Sequence, residues 1–152
     1  MKKIFNTITL LSLSLLLFSC GKYTERELDA FNEEIDTYLA DSLADFKKSE
    51  SGLRYKIINE GEGEFVKPLD QVTVKYSGRL LANDSLFHDT TLNFNMRVSI
   101  DGFKEGFSYF KKNGKGQLVI PPNLAYGKQA IQPLGIPKNA CLVYEFEILD
   151  VE

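Results

Sequence analysis

Three features of the chain predict an α+β fold, with several antiparallel strands wrapped on one short helix. From Gly52 onward apolar and polar residues alternate with a period of two between Gly and Pro punctuation, which signals strands. One short helical stretch, Gly102 to Lys112, interrupts them and places Phe103, Phe107 and Phe110 on a common face. Ahead of this domain, Thr24 to about Lys48 carries apolar residues at spacings of three and four, the pattern of an amphipathic helix.

In chain order, the first helix carries Leu28, Phe31, Ile35, Tyr38, Leu39, Leu43 and Phe46 as its apolar stripe. Thr24 with Glu27 three residues later matches a capping box, and Glu25, Glu27 and Asp29 suit the positive end of the helix dipole. The stripe either packs on its own domain or pairs with a second copy, which would make a homodimer through residues 24–48. In both cases the helix reads as a spacer that keeps the domain away from a lipid surface. Ser49 to Gly52 ends it.

Leu53 to Ile58 is then a strand and Asn59 to Gly63 a turn. Val72, Val74 and Tyr76 alternate with Thr73, Lys75 and Ser77, so one face is apolar and the other wet. Phe94, Met96 and Val98 suggest another strand. The short helix has Asp101 near its start and ends at Asn113-Gly114, and Gly114 to Gly116 reads as a turn. Gln117 to Ile120 is a strand stopped by Pro121-Pro122. Cys141 to Val151 is the last, with Leu142, Tyr144, Phe146 and Ile148 facing inward.

Composition excludes several functions. The chain of 152 residues has room for one domain and appendages, and its net charge is -3. No Lys/Arg run is longer than two residues, so a phosphate-tracking surface has no electrostatic basis and nucleic acid is not an expected partner. The single histidine, His88, has no cysteine near it in sequence; no metal site and no cofactor is expected, and His88 reads as a solvated loop residue. Neither a nucleophile elbow nor a phosphate-cradling glycine loop is present. Cys141 reads as a buried free thiol unrelated to Cys20.

The first nineteen residues have the layout of a secretory signal: Lys2-Lys3, an interrupted apolar core too short for a comfortable membrane span, then small residues. Leu17-Phe18-Ser19-Cys20 resembles a bacterial lipobox, which implies diacylation of Cys20 and removal of residues 1–19. The alternatives are an incidental cysteine near an ordinary cleavage site or an uncleaved anchor. The resulting division is 1–19 signal, 20–51 lipidated cysteine and spacer, and 52–152 domain. The lipoprotein reading makes the membrane a partner through Cys20 and places the protein in the envelope, with Gly21 favouring the outer membrane, facing the periplasm.

Within the domain the loop elements stand out: Tyr76-Ser77-Gly78, Phe87, Gly102-Phe103-Lys104-Glu105-Gly106, Pro121 to Gly127 with its Ala-Tyr-Gly, and Gly135-Ile136-Pro137-Lys138-Asn139-Ala140. In this order they resemble the FKBP family of peptidyl-prolyl isomerases, over about Gly52 to Glu152. The resemblance implies a strongly bent antiparallel sheet, a half-barrel, around the short helix with an aromatic pocket between them. It assigns Tyr76, Phe87, Phe103 and Tyr126 to catalysis, with Phe103 flooring the proline ring in place of the family's usual tryptophan. Tyr126 would hold a substrate carbonyl. Phe94, Ile100, Ile136 and Tyr144 complete the binding wall. The family usually has aspartate directly after the bulge phenylalanine; here His88 intervenes, so the acid is either displaced to Asp89, carried as a binding candidate, or replaced. Between Phe94 and Ile100 the chain is shorter than in fuller members.

The substrates implied are proline-containing polypeptides, and the activity is cis/trans isomerisation assisting the folding of envelope proteins. The alternative is a non-catalytic chaperone or structural module on the same fold. Phe107, Phe110 and Phe146 are expected in the core.

Overall fold

A computed structural model describes residues 22–152. The expected signal segment 1–19 and Cys20 lie outside the described residues.

Helix α1, Glu25–Tyr38, starts where the capping box places it: the Thr24 hydroxyl accepts from the Glu27 amide at 3.3 Å, and the Glu27 carboxylate accepts from the Thr24 amide at 2.7 Å. The helix stops well short of the expected Lys48. Beyond Leu39 the chain turns through a 3₁₀ segment, Leu43–Asp45, and enters strand β1, Lys47–Lys48. Lys47 and Lys48 pair with Tyr55 and Arg54 of β2, Arg54–Asn59, so sheet pairing overrides the helical period.

The remaining elements are β3, Glu62–Phe65; β4, Gln71–Leu80; β5, Leu86–Asn95; α2, Asp101–Phe107; β6, Lys111–Lys112; β7, Lys115–Ile120; and β8, Leu142–Val151. Four expectations change. Glu62 and Gly63 open β3 rather than closing a turn. Phe94 lies near the end of β5, while Met96–Val98 forms a 3₁₀ turn capped by the Asn95 side chain, which accepts from the Arg97 amide at 3.0 Å. Helix α2 ends at Phe107 because Lys111 and Lys112 leave to pair with Phe65 and Glu62. Lys115 and Gly116 belong to β7 rather than to a turn.

The strands form a curved six-stranded antiparallel sheet in the order β1-β2-β7-β8-β4-β5, with β3 and β6 as a separate pair. Alternation assigns the faces. On one, Val72, Val74 and Tyr76 of β4 meet Leu142, Tyr144, Phe146 and Ile148 of β8, and Phe103, Phe107 and Phe110 pack over them. Helix α2 lies against β7 closely enough that a Cβ at Gly102 would come within 2.4 Å of Ile120, and one at Gly106 within 2.5 Å of Leu118.

The opposite face carries a second core. Val119, Val143, Cys141 and Leu81 receive Phe31, Ile35, Leu39 and Phe46. Ile35 and Leu39 are 0% and 3% exposed, and each such side chain contributes about 1.5–3 kcal/mol by leaving water. Arg54, 1% exposed, fixes the helix further: its guanidinium donates to Asp36 at 2.5 Å, to Asn32 at 3.2 Å and to the Gly52 carbonyl at 2.7 Å. Helix α1 therefore lies on its own domain instead of projecting from it. Among the described residues no helix is long and apolar enough to cross a membrane.

Candidate active site

The inward face of β4 supplies Tyr76 and then Gly78, and β8 supplies Tyr144 opposite Gly78. Gly78 is required here by space: a Cβ would stand 2.6 Å from the Phe87 ring and 2.8 Å from the Tyr144 ring. Phe87 reaches that position through a bulge. Gly78 pairs with His88 and Arg79 with Leu86, leaving Phe87 as the extra residue of β5.

The bulge resets the alternation of β5. Phe87 packs on the aromatic core, and His88 also faces it, beside Tyr76. Asp89 pairs with Ser77 and lines a depression on the other face of the sheet with Lys75, Lys115 and Glu145. His88 stands beside Tyr76, its Nδ1 2.8 Å from the Tyr76 hydroxyl, and Asp89 does not join the cluster. His88 is also not the solvated loop residue expected, since it lies within β5 and is only partly exposed.

Phe103 is the centre of the cluster. Its ring meets Tyr144 edge-on at 4.7 Å and Tyr76 at 5.9 Å, stacks on Phe107 at 4.8 Å, and lies 6.2 Å from Phe94. Phe87 meets Tyr144 edge-on at 5.7 Å, and Tyr76 meets Tyr144 at 5.6 Å. These offset and edge-on arrangements suit the charge distribution of aromatic rings. Ile100, the residue before α2, packs partly buried against the same core.

Two loops complete the surround. Pro122–Leu124 forms a 3₁₀ turn, and Tyr126 follows it, half-buried against the cluster and ended by Gly127 at φ 63°. The flap from Lys128 to Lys138 folds back through a bridge between Ile131 and Ile136, turned by Gly135 at φ 65°, and buries Ile136. Tyr76, Phe87, Phe94, Ile100, Phe103, Tyr126, Ile136 and Tyr144 are thus gathered around one aromatic core.

The electrostatics are those of a dry site. Burial, then Tyr126, pushes the Tyr76 hydroxyl up to about 12, and burial holds the Tyr144 hydroxyl well above its ordinary range. Burial also raises the Tyr126 hydroxyl, with the Tyr144 hydroxyl acting in the opposite sense. Burial and one another shift all three, no carboxylate acts on them, and the Tyr76 hydroxyl meets Nδ1 of His88 at 2.8 Å. Each therefore stays a neutral O–H at ordinary pH. Among the described residues no group of three or more His, Cys, Asp or Glu could hold a metal ion.

The site so defined, an aromatic cluster between a bent antiparallel sheet and one short helix with a tyrosine loop and a flap beside it, has the form of an FKBP-type domain. Comparison with known proteins agrees. The family model for FKBP-type peptidyl-prolyl cis-trans isomerase matches residues 62–149. The FKBP-type peptidyl-prolyl cis-trans isomerase FkpA of Buchnera aphidicola is 42% identical over 113 residues, covering 72% of this chain and 46% of that protein. Its namesake in Escherichia coli is 42% identical over 110 residues, covering 70% of this chain and 40% of that protein. The crystal structure of FkpA from E. coli superposes with a TM-score of 0.73 at 37% identity, over 84% of this chain and 60% of that one. A peptidyl-prolyl cis-trans isomerase structure from Pseudomonas syringae gives 0.71 at 26% identity, over 86% and 97%. The chain belongs to the FKBP-type peptidyl-prolyl cis-trans isomerase family and spans less than half the length of the two curated relatives just named.

The sequence reading of His88 as a solvated loop residue misses its contact with Tyr76. The available signal was its position directly after a residue read as a bulge, where two successive side chains can share a face.

Proposed function

We propose that the protein is a peptidyl-prolyl cis/trans isomerase acting on proline-containing segments of envelope proteins, and that the aromatic cluster around Phe103 is its active site. The observation that carries this is the convergence of Phe103, Tyr76, Phe87, Phe94 and Tyr144 within ring contact, with burial keeping the Tyr76 and Tyr144 hydroxyls protonated.

The chemistry asks for little else. Rotation about an amide faces a barrier of about 18–20 kcal/mol, and at Xaa-Pro both isomers are accessible but interchange in about tens to hundreds of seconds. No covalent bond forms or breaks. In the twisted transition state the amide loses resonance and becomes less polar, so a dry aromatic surround favours it over the planar form. Phe103 floors the proline ring, Phe87, Phe94 and Tyr144 wall it, and Ile100 and Ile136 close its apolar rim. The Tyr126 hydroxyl donates to a substrate carbonyl. An acceleration of about 10⁴-fold corresponds to about 5–6 kcal/mol, within reach of differential desolvation and one placed hydrogen bond.

The second reading, a non-catalytic binder of proline segments, is favoured by one observation: His88 stands where the family usually places an acid. A protease-free assay on tetrapeptides differing in the residue before proline separates the two. Turnover supports the enzyme, and a folded protein that binds these peptides without accelerating their isomerisation supports the binder.

We further propose that residues 1–19 are a signal segment, that Cys20 is acylated, that 20–51 link it to the domain at 52–152, and that the protein sits on the periplasmic side of the outer membrane. From Cys20 to Tyr23 the chain can span at most about 10 Å, and Tyr23 already touches the domain, so such an anchor holds the domain at the lipid surface. A homodimer through residues 24–48 would have to use the outer side of α1, where Tyr38 is exposed, since Ile35 and Leu39 are committed to the domain. Mass spectrometry of the N-terminal peptide, with Cys20→Ala as control, tests the acylation.

A further inference from the structure

Tyr23, just ahead of α1, is far in sequence from the loops around the aromatic site. Its hydroxyl nevertheless donates to the Asn139 side chain at 2.8 Å. Asn139, in the left-handed region at φ 57°, donates its own amide to the Gly127 carbonyl at 2.9 Å. That bond joins the two ends of the flap, since Gly127 immediately precedes it and Asn139 immediately follows it. Tyr23 therefore holds the base of the flap at the point where its two ends meet.

The contact is built from several sides. The Tyr23 ring stands edge-on to Phe31 of α1 at 5.2 Å, which fixes its orientation. Lys128, the first flap residue, places its ammonium 4.8 Å from the centre of the Tyr23 ring and 3.6 Å from the Glu27 carboxylate. Tyr23 and Tyr126 line the same depression, with Lys22, Gly127 and Lys128. Helix α1 is in turn fixed to the domain by Ile35, Leu39 and the Arg54–Asp36 pair.

The flap has little internal support. Apart from the Ile131–Ile136 bridge and its 3₁₀ turn, it carries few backbone hydrogen bonds of its own. A segment of that kind samples open conformations at low cost unless its ends are held. Ile136 rides on the flap and Tyr126 adjoins its base, so what holds the base also aims both side chains.

We propose that Tyr23 is a positioning residue of the site: through Asn139 and Lys128 it clamps the flap base and fixes Tyr126 and Ile136 relative to Phe103. The inference rests on the isomerase reading for its kinetic readout. It assigns to the segment before α1, which lies outside the span matched by the family model, a role in the reaction.

The test compares the full chain, purified in detergent, with Tyr23→Phe, Asn139→Gly and the double variant. Tyr23→Phe keeps the ring and removes only the hydroxyl; Asn139→Gly keeps the left-handed backbone and removes only the acceptor. Loss of one neutral hydrogen bond that aims the site predicts a drop in kcat/KM of about two- to ten-fold, carried mainly by kcat, with the thermal midpoint nearly unchanged. The double variant should fall no further than either single one, because both remove the same bond. Amide exchange at Ile131 and Ile136 should quicken in all three. Unchanged kcat/KM and unchanged exchange in Tyr23→Phe would overturn the clamp, as would fully additive losses. If the unaltered chain shows no turnover, the isomerase reading fails, and the exchange readout alone still decides whether Tyr23 holds the flap.

Discussion

The Tyr76 hydroxyl and Nδ1 of His88 meet at 2.8 Å across β4 and β5, joining the polar end of the aromatic cluster to the residue that follows the bulge. Tyr76 is nearly buried, and a buried hydroxyl left without a partner costs about 1–3 kcal/mol. His88→Leu should therefore destabilise the protein by about that amount in denaturant titrations, whereas His88→Asp restores an acceptor at the same place and should cost much less. Equal losses in the two variants would mean that the pair does not hold Tyr76.

The docking of α1 gives a second expectation. Arg54 is buried and its charge is answered by Asp36, which remains partly in water. Asp36→Ala leaves the guanidinium without its carboxylate, and because water can reach one side the cost should be about 1–3 kcal/mol rather than the larger figure for a fully buried pair. Protease sensitivity should appear first between Tyr38 and Lys48. A variant as stable as the parent would contradict the description of α1 as part of the domain.

Alkali should weaken the fold in a defined window. Burial, then Glu34, pushes the Cys141 thiol from its ordinary 9.0 up to about 12, and burial moves Tyr76 from 10.0 to about 12. Both folded values lie above the unfolded ones, so the folded state holds these protons more tightly. The stabilisation is fully present below about pH 9 and is lost as pH rises from about 9 towards 12. Denaturation midpoints measured from pH 7 to 11 should decline above about 9, and Cys141→Ala should flatten the first part of that decline. A flat profile for the parent chain would show that neither group is held protonated by burial.

Where neighbours on both sides impose burial, the pattern was easy to read. Strands β4 and β8 each lie between two partners, and their strict alternation placed Val72, Val74, Tyr144, Phe146 and Ile148 on the correct face. The capping box at Thr24 likewise placed the start of α1. Strand β5 pairs with β4 alone, so most of its side chains remain partly or fully exposed and carry little period. Lys47–Lys48 and Lys111–Lys112 are too short for any period, and their pairing cut both predicted helices short.

The site followed the same division. The aromatic residues of β4, α2 and β8 were visible through resemblance and spacing, while the inward turn of His88 rather than Asp89 depends on one extra residue in β5. A bulge inverts every side chain beyond it; the alternation of Leu86 to Thr91 carries no sign of it, and only the resemblance marks Phe87 as the bulged residue.

In the proposed reaction the cluster around Phe103 lowers the barrier to proline rotation and Tyr126 is the hydrogen-bond donor. Phe103→Ala would open a cavity costing about 3–5 kcal/mol and confuse folding with turnover, so the informative variants are Phe103→Leu and Tyr126→Phe. The most direct measurement is exchange spectroscopy on one Xaa-Pro peptide, reading its cis/trans interconversion rate with the chain from Gly21 onward. The unaltered protein should accelerate interconversion strongly, and either variant, still folded, should do so at least about ten-fold less. Acceleration that survives both substitutions, or none from a folded parent chain, would contradict the proposed reaction.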